Sequence, residues 1–220
     1  FLSFTAEFWA NSRPIVMRYN DEIYFPIFAD YHPSDLGIKS SLVINWKKLE
    51  LGDEDFALWP LINWNPYESN KEVAYYPSEP TGLNWMGTDD RGRDILTRLL
   101  YGLRYSITYA VLVWLLTFIT GTILGGLMGY FGGRVDFWGQ RVVEVLSTVP
   151  QFFLLIIIIS IFKPSLVLLV LLSSIFGWIS ISYYVRGEYL KNRKKEFVEA
   201  ARALGSGHGR IFFKHLLPNS

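Results

Sequence analysis

From Tyr105 to Gly133 the chain runs 29 residues without a charged side chain, bracketed by Arg104 and Arg134. A hydrocarbon layer about 30 Å thick needs roughly 20 apolar helical residues, so this run crosses it with tilt to spare. A second uncharged run, Pro164 to Val185, covers 22 residues and ends at Arg186. Between them, residues 137–162 form a third apolar segment. Arg141 and Glu144 mark its first half, while Phe152 to Phe162 is hydrocarbon apart from Ser160. Pro150 predicts a kink there, because it removes one helical hydrogen bond and clashes with the preceding turn. The fold class is therefore an all-α polytopic membrane protein, with spans at about 105–131, 137–162 and 164–186. Gly121, Gly125 and Gly129 recur at i, i+4 and i+8, a small-residue stripe that lets a neighbouring helix approach closely.

Charge is divided unevenly along the chain. Phe1 to Arg104 carries 15 acidic and 10 basic residues, whereas Tyr105 to Ser220 carries 5 and 11. Arg186, Lys191, Arg193, Lys194 and Lys195 crowd the end of the last apolar run, and cytoplasmic flanks are enriched in such residues. Counting back three crossings puts residues 10–104 outside and 187–220 in the cytoplasm. Arg91, Arg93, Arg98 and Arg104 then lie on the outer side, against the same rule.

Residues 10–88 form a loop-rich extracytoplasmic insert. Pro14, Pro26, Pro33, Pro60, Pro66, Pro77 and Pro80 exclude long helices. Glu22 to Phe28 and Ser41 to Trp46 are candidate strands or packed loops. Trp46, Trp59, Trp64 and Trp85 serve either as core that pins the insert together or as a peptide-contact surface. In residues 89–104, Ile95, Leu96, Leu99, Leu100 and Leu103 recur at helical intervals and predict an amphipathic interfacial helix. Asp89, Asp90 and Asp94 sit among Arg91 and Arg93, which gives local charge pairing or a role in an outer gate. Residues 1–9 are too short to span a bilayer and carry Glu7; a cleaved leader would need a basic start that is missing here.

After the last span, Glu196 to Leu204 predicts a short helix with Phe197, Ala200, Ala201 and Leu204 on one side. Gly205 stands where helices close in a left-handed conformation. A second short helix, Gly209 to Leu217, is expected to stop at Pro218. Two glycine-hinged helices loaded with basic residues suggest a docking knob, in which small Ala200 and Ala201 admit a partner's backbone. The bland alternative is a helical pair that packs only on its own domain.

This stretch resembles the EAA loop of ATP-binding-cassette (ABC) importer permeases. That pattern is Glu-Ala-Ala, three residues, Gly, nine residues, then Ile-x-Leu-Pro. Glu199, Ala200, Ala201, Gly205, Leu217 and Pro218 are in register, with His215 in place of Ile. The replacement, within Lys214 to Asn219, is similar to the dipeptide/oligopeptide branch. So is an upstream segment, Gly87, Thr88, Asp89, Gly92, Arg93 and Asp94, followed by Arg98 to Gly102. Together these cover roughly residues 84–220. The size of the insert resembles that of a subgroup including the microcin-uptake type.

The resemblance implies a type I ABC importer permease in a bacterial inner membrane, carrying peptides or peptide-like compounds. Its implied partners are cytoplasmic ABC ATPase subunits, a homologous second permease, an extracytoplasmic substrate-binding protein, the peptide cargo and the lipid membrane. It also implies that residues 1–9 end a first transmembrane helix, and that residues 187–220 form the loop through which the ATPase rocks the spans.

Several chemistries lack their residues. There is no Gly-x-x-x-x-Gly-Lys-Ser/Thr phosphate loop, so the chain does not itself bind ATP in the usual way; the resemblance implies a partner that hydrolyses it, and the chain is read as non-catalytic. Cysteine is absent, and His32, His208 and His215 lack metal-ligand spacing, so neither metal nor cofactor is expected. A positive cytoplasmic flank accounts for the basic loop without nucleic acid. Two other classes stand beside the transporter: a membrane sensor whose insert detects a ligand, and an intramembrane enzyme, for which only Glu144 qualifies. A charge at mid-membrane costs roughly 2.5–3.5 kcal/mol, so Glu144 faces protein or water. It is either a pathway group or the partner of Arg141. Transport in Glu144→Gln separates the two: local pairing predicts unchanged rate and specificity, and a changed specificity marks a pathway group.

Overall fold

Asn20 and Asp21 both take positive φ, 51° and 66°, in a computed structural model that describes residues 2–38, 43–52 and 54–220. Two consecutive left-handed residues make the tight turn whose twist suits a hairpin, and Asn and Asp tolerate it best after Gly. The turn joins β1 (Val16–Tyr19) to β2 (Glu22–Tyr24), with Met17 opposite Tyr24. β3 (Phe56–Leu58) pairs antiparallel with the other edge of β1, placing Ala57 opposite Met17 and giving the order β2-β1-β3. Met17 and Tyr24 then point with Leu36, Ile44 and Trp46 into a small core. Phe25 to Ala29 turns instead of continuing the strand, and Val43 to Asn45 holds no strand, with a 3₁₀ turn at Trp46–Lys48. Ser41 and Leu42 lie outside the described residues.

The chain divides into two compact units, Phe1–Ser106 and Ile107–Ser220. In the first, α1 is a four-residue helix, Ala6–Trp9. Glu7, which interrupts the apolar start, accepts from the Arg104 guanidinium at 2.8 and 2.7 Å. Ser3 and Ala10 are tied to Leu100 and Tyr101 by further hydrogen bonds.

A separate interfacial helix over 89–104 is not present. Residues 89–94 form turns and bridges, and α2 then runs unbroken from Ile95 to Phe131 over 37 residues. No proline or positive-φ glycine interrupts that stretch, so nothing stops propagation between the amphipathic and apolar parts. Gly132 and Gly133, at φ 65° and 49°, end it. α3 (Gly133–Thr148) and α4 (Gln151–Ile161) meet at a 69° bend. Val149 is extended because a residue before proline is driven out of the helical region, and Pro150, itself extended, stands at the N-cap of α4. α5 spans Leu166–Asn192, continuing six residues beyond Arg186, with Ser165 capping its start through Leu168 N–H at 3.2 Å. Among the described residues, α2 and α5 are long and apolar enough to cross a membrane. α3–α4 adds a third crossing if the bent pair is one span.

α5 lies directly against the glycine stripe of α2. A Cβ built on Gly121 would stand 2.7 Å from Ile181 Cβ, on Gly125 2.5 Å from the Ser182 carbonyl oxygen, and on Gly129 2.6 Å from that of Arg186. All three meet backbone or the stiff base of a side chain, which cannot swing aside. Gly125→Leu is therefore expected to lower stability by about 1–3 kcal/mol, the cost of overpacking. Gly187→Ala, with nothing within 4 Å, should be neutral or slightly stabilising as a helix-interior glycine replacement. Unfolding both variants in mixed detergent checks the contrast.

Candidate functional site

The last 25 residues fold back on the ends of α2 and α5. α6 (Glu196–Ala203) follows a non-helical turn at Lys195 and closes at Gly205, φ 79°. Gly205 N–H donates to Arg202 O at 2.9 Å and Ser206 N–H to Ala201 O at 3.0 Å. These two bonds satisfy carbonyls that a helix end leaves open, and they need a left-handed residue between them. A short α7 (His208–Arg210) leads into a π-helical turn, Ile211–Leu216, and a 3₁₀ turn, Leu217–Asn219. Pro218 sits in the first turn of that last element, where its missing N–H costs nothing, and so does not end the helical path.

Val198, Ala201, Ile211, Phe212 and Leu216 from these turns pack with Tyr130 and Tyr189 into one buried cluster. The inward face of α6 is thus Val198 and Ala201, which corrects the grouping of Phe197, Ala200, Ala201 and Leu204. Phe197, Ala200 and Leu204 point outward, Leu204 at 86% exposure. Glu199 lies on the same exposed surface. The outer face therefore sets Phe197, Ala200 and Leu204 among the charged Glu196, Glu199 and Arg202, on a helix whose inner side is already anchored.

Polar ties fasten this assembly. Tyr130 Oη and His208 Nδ1 are 2.7 Å apart, and Tyr189 donates to Phe212 O at 3.2 Å. Asn192, fully buried, donates to Asn219 O at 3.0 Å. Arg193 reaches the Tyr130 carbonyl at 3.2 Å across Gly132. Arg186 grips both carboxylate oxygens of Asp136, binding the start of α3 to α5. Sequence reading passed over these residues: Arg186 and Arg193 served only as positive flank, and no spacing links Asp136 to a residue 50 positions away.

The upstream signature forms a separate polar knot. Gly87 and Gly92 hold φ 74° and 75°, and a Cβ on either would collide with Ser78 O at 2.3 Å or the Tyr76 ring at 2.4 Å. Thr88 Oγ1 accepts from Ser78 N–H at 2.9 Å. Asp94, 1% exposed, accepts from Thr97 N–H at 2.7 Å and from Asn84 at 2.9 Å, and so caps α2. Asn84 in turn accepts from Asn70 at 2.7 Å. The Asn70–Asn84 pair carries no motif and was missed for that reason. These contacts give the segment a structural task without invoking a gate.

Asp89 accepts from Arg91 N–H and Arg93 N–H, both at 2.9 Å, and from the Arg93 and Arg98 side chains. Burial by itself would raise its pKa. The Arg93 hydrogen bonds and the backbone donors outweigh burial and lower it from the ordinary 3.8 to about 2. A lowered carboxylate contributes stability that is complete above its unfolded pKa and is lost as pH falls toward the folded one. Asp89→Asn should therefore flatten the acid limb of the stability profile between about pH 4 and pH 2, read by thermal unfolding across that window.

Arg141 and Glu144 are both about half exposed and 2.6 Å apart, so the Glu144 charge has a local partner. Among the described residues no group of His, Cys, Asp or Glu is arranged to hold a metal ion.

Comparison with known proteins gives an independent line. Residues 121–220 match the family described as "Binding-protein-dependent transport system inner membrane component". Over its whole length the chain is 37% identical to an Escherichia coli protein named "Inner membrane ABC transporter permease protein YejE" and covers 66% of it. It is 33% identical to the "Peptidoglycan transport system permease protein YejE" of Agrobacterium fabrum, covering all of this chain and 65% of that one. The "Dipeptide transport system permease protein DppC" of Bacillus subtilis is 37% identical over 64% of this chain and 44% of its own length. The chain thus spans just under two thirds of the length of the first two relatives.

Proposed function

We propose, for a chain that belongs to the binding-protein-dependent inner-membrane permeases of ABC transport systems, that it forms half of a translocation pathway driven by a partner ATPase. The observation that carries this reading is the two-sided α6. Val198 and Ala201 fix it to the ends of α2 and α5, while Phe197, Ala200, Leu204 and Glu199 are left facing outward. A partner that holds α6 differently in its ATP-bound and ATP-free states moves the two long helices with it, because α6 shares one buried apolar cluster with their ends. Ala200 and Ala201, in sequence at the EAA positions, divide the work: one is open to the partner and the other packs inward.

In this reading residues 187–220 are cytoplasmic and residues 10–104 face outward, where a substrate-binding protein delivers cargo. A homologous permease supplies the other half of the pathway. ATP is hydrolysed by the partner, and this chain is not itself an enzyme. Peptides or peptide-like compounds are the cargo, a choice supported by the dipeptide and peptidoglycan systems named for its relatives. Gly121, Gly125 and Gly129 act as the packing seam, and Gly87 through Asp94 as the anchor at the outer end of α2.

Two substitutions test the coupling role. Glu199→Arg reverses a carboxylate on the outer face without touching the buried cluster. Gly205→Pro removes the N–H given to Arg202 and forbids the left-handed φ. Both variants should insert normally in the membrane. Uptake should fall roughly 5–150-fold, the range of coupling energies of about 1–3 kcal/mol, while ATP hydrolysis continues. Uptake at the parental rate in Glu199→Arg, or failure of Ala200→Cys to cross-link to an ATPase, would contradict the assignment.

A further inference from the structure

A cleft of about 430 Å³ opens in the first unit, walled by Trp59, Trp64, Trp85, Leu61 and Leu83, with Glu72 also on its lining. That volume lies at the small end of ligand sites and holds one bulky side chain with its main chain. The wall is built and fixed: Trp64 donates its indole N–H to Leu83 O at 2.8 Å. Lys47 Nζ sits 3.7 Å over the Trp64 ring and 2.8 Å from Glu68, so its charge is used within the wall. Trp46 is buried in the core of the unit, but Trp85 is 52% exposed. The tryptophans therefore do not all serve one purpose.

Glu72 is different. Its backbone N–H is held by Asn70 at 2.9 Å, yet its carboxylate has no partner among the described residues. With Lys47 paired to Glu68, Glu72 is left, among the described residues of the lining, as a negative charge without a partner, near the indoles of Trp59 and Trp85, whose faces attract cations. We propose that this cleft binds the free amino terminus of a peptide, with the ammonium on Glu72 and the first, apolar side chain among Trp59, Trp64 and Trp85. The permease reading supplies only the nature of the ligand; the site itself stands on the cleft and its unpaired carboxylate.

The test uses the full-length permease in lipid nanodiscs without its partners, titrated with Leu-Gly-Gly, N-acetyl-Leu-Gly-Gly and Gly-Gly-Gly by calorimetry. Leu-Gly-Gly should bind saturably, and each of the other two at least about tenfold more weakly, as expected when a charge-assisted hydrogen bond or a buried side chain is lost. Glu72→Gln should erase the preference for the free amine and keep the preference for leucine; Trp85→Ala should do the reverse. Absence of saturable binding up to millimolar peptide, or unchanged preferences in both variants, overturns the proposal. Glu199→Arg separates the two readings. If it abolishes uptake while wild-type binding is absent, the cleft proposal alone fails. If it leaves uptake intact while the Glu72 and Trp85 effects hold, the transport reading alone fails.

Discussion

Apolar helices gain nothing from leaving water once they are inside a bilayer, so contact between them rests on how closely their surfaces fit. Here the fit is made by three glycines. Gly121, Gly125 and Gly129 bring the backbone of α2 against Trp178, Ser182 and Arg186 of α5. Because both rows advance about four residues at a time, the two helices stay in register for more than two turns. The register fixes where Tyr130 and Tyr189 end up, and those two rings are the floor on which the C-terminal turns settle. A shift of one helix by a single residue would dismantle that floor without altering any residue in it.

At the ends of these helices, polar ties replace close packing. Arg186 and Asp136, both only partly exposed, make a bidentate pair in which the guanidinium meets both carboxylate oxygens, a geometry stronger than a single charge contact. Arg193 fills a second such post at the Tyr130 carbonyl. Basic residues after the last span therefore do more than set orientation. Two of them are internal fasteners, and others, such as Lys194 and Lys195, remain exposed.

Much of the helical architecture was legible in the sequence because it depends on patterns a chain displays locally: uncharged runs, a four-residue glycine repeat, and a glycine closing α6. What was not legible depends on pairing across distance. The merger of the interfacial segment with α2 was hidden because charge change and helix termination are separate events. Arg98 and Arg104 lie on one continuous helix with the apolar run. The inward face of α6 was misjudged because Ala200 and Ala201 look alike, and only the position of Tyr189 and Ile211 decides which of them is covered. The Asn70–Asn84–Asp94 chain was invisible for the same reason: each residue is ordinary alone, and the meaning lies in their burial together.

α5 is 27 residues long, which at 1.5 Å per residue makes a rod of about 40 Å. The hydrocarbon it crosses is about 30 Å deep. The surplus of nearly two turns, carrying Tyr189 and Asn192, projects beyond the oily layer as a stiff handle. A continuous helix has no joint, so under the coupling proposed above a partner that bears on this handle would bear on the whole of α5.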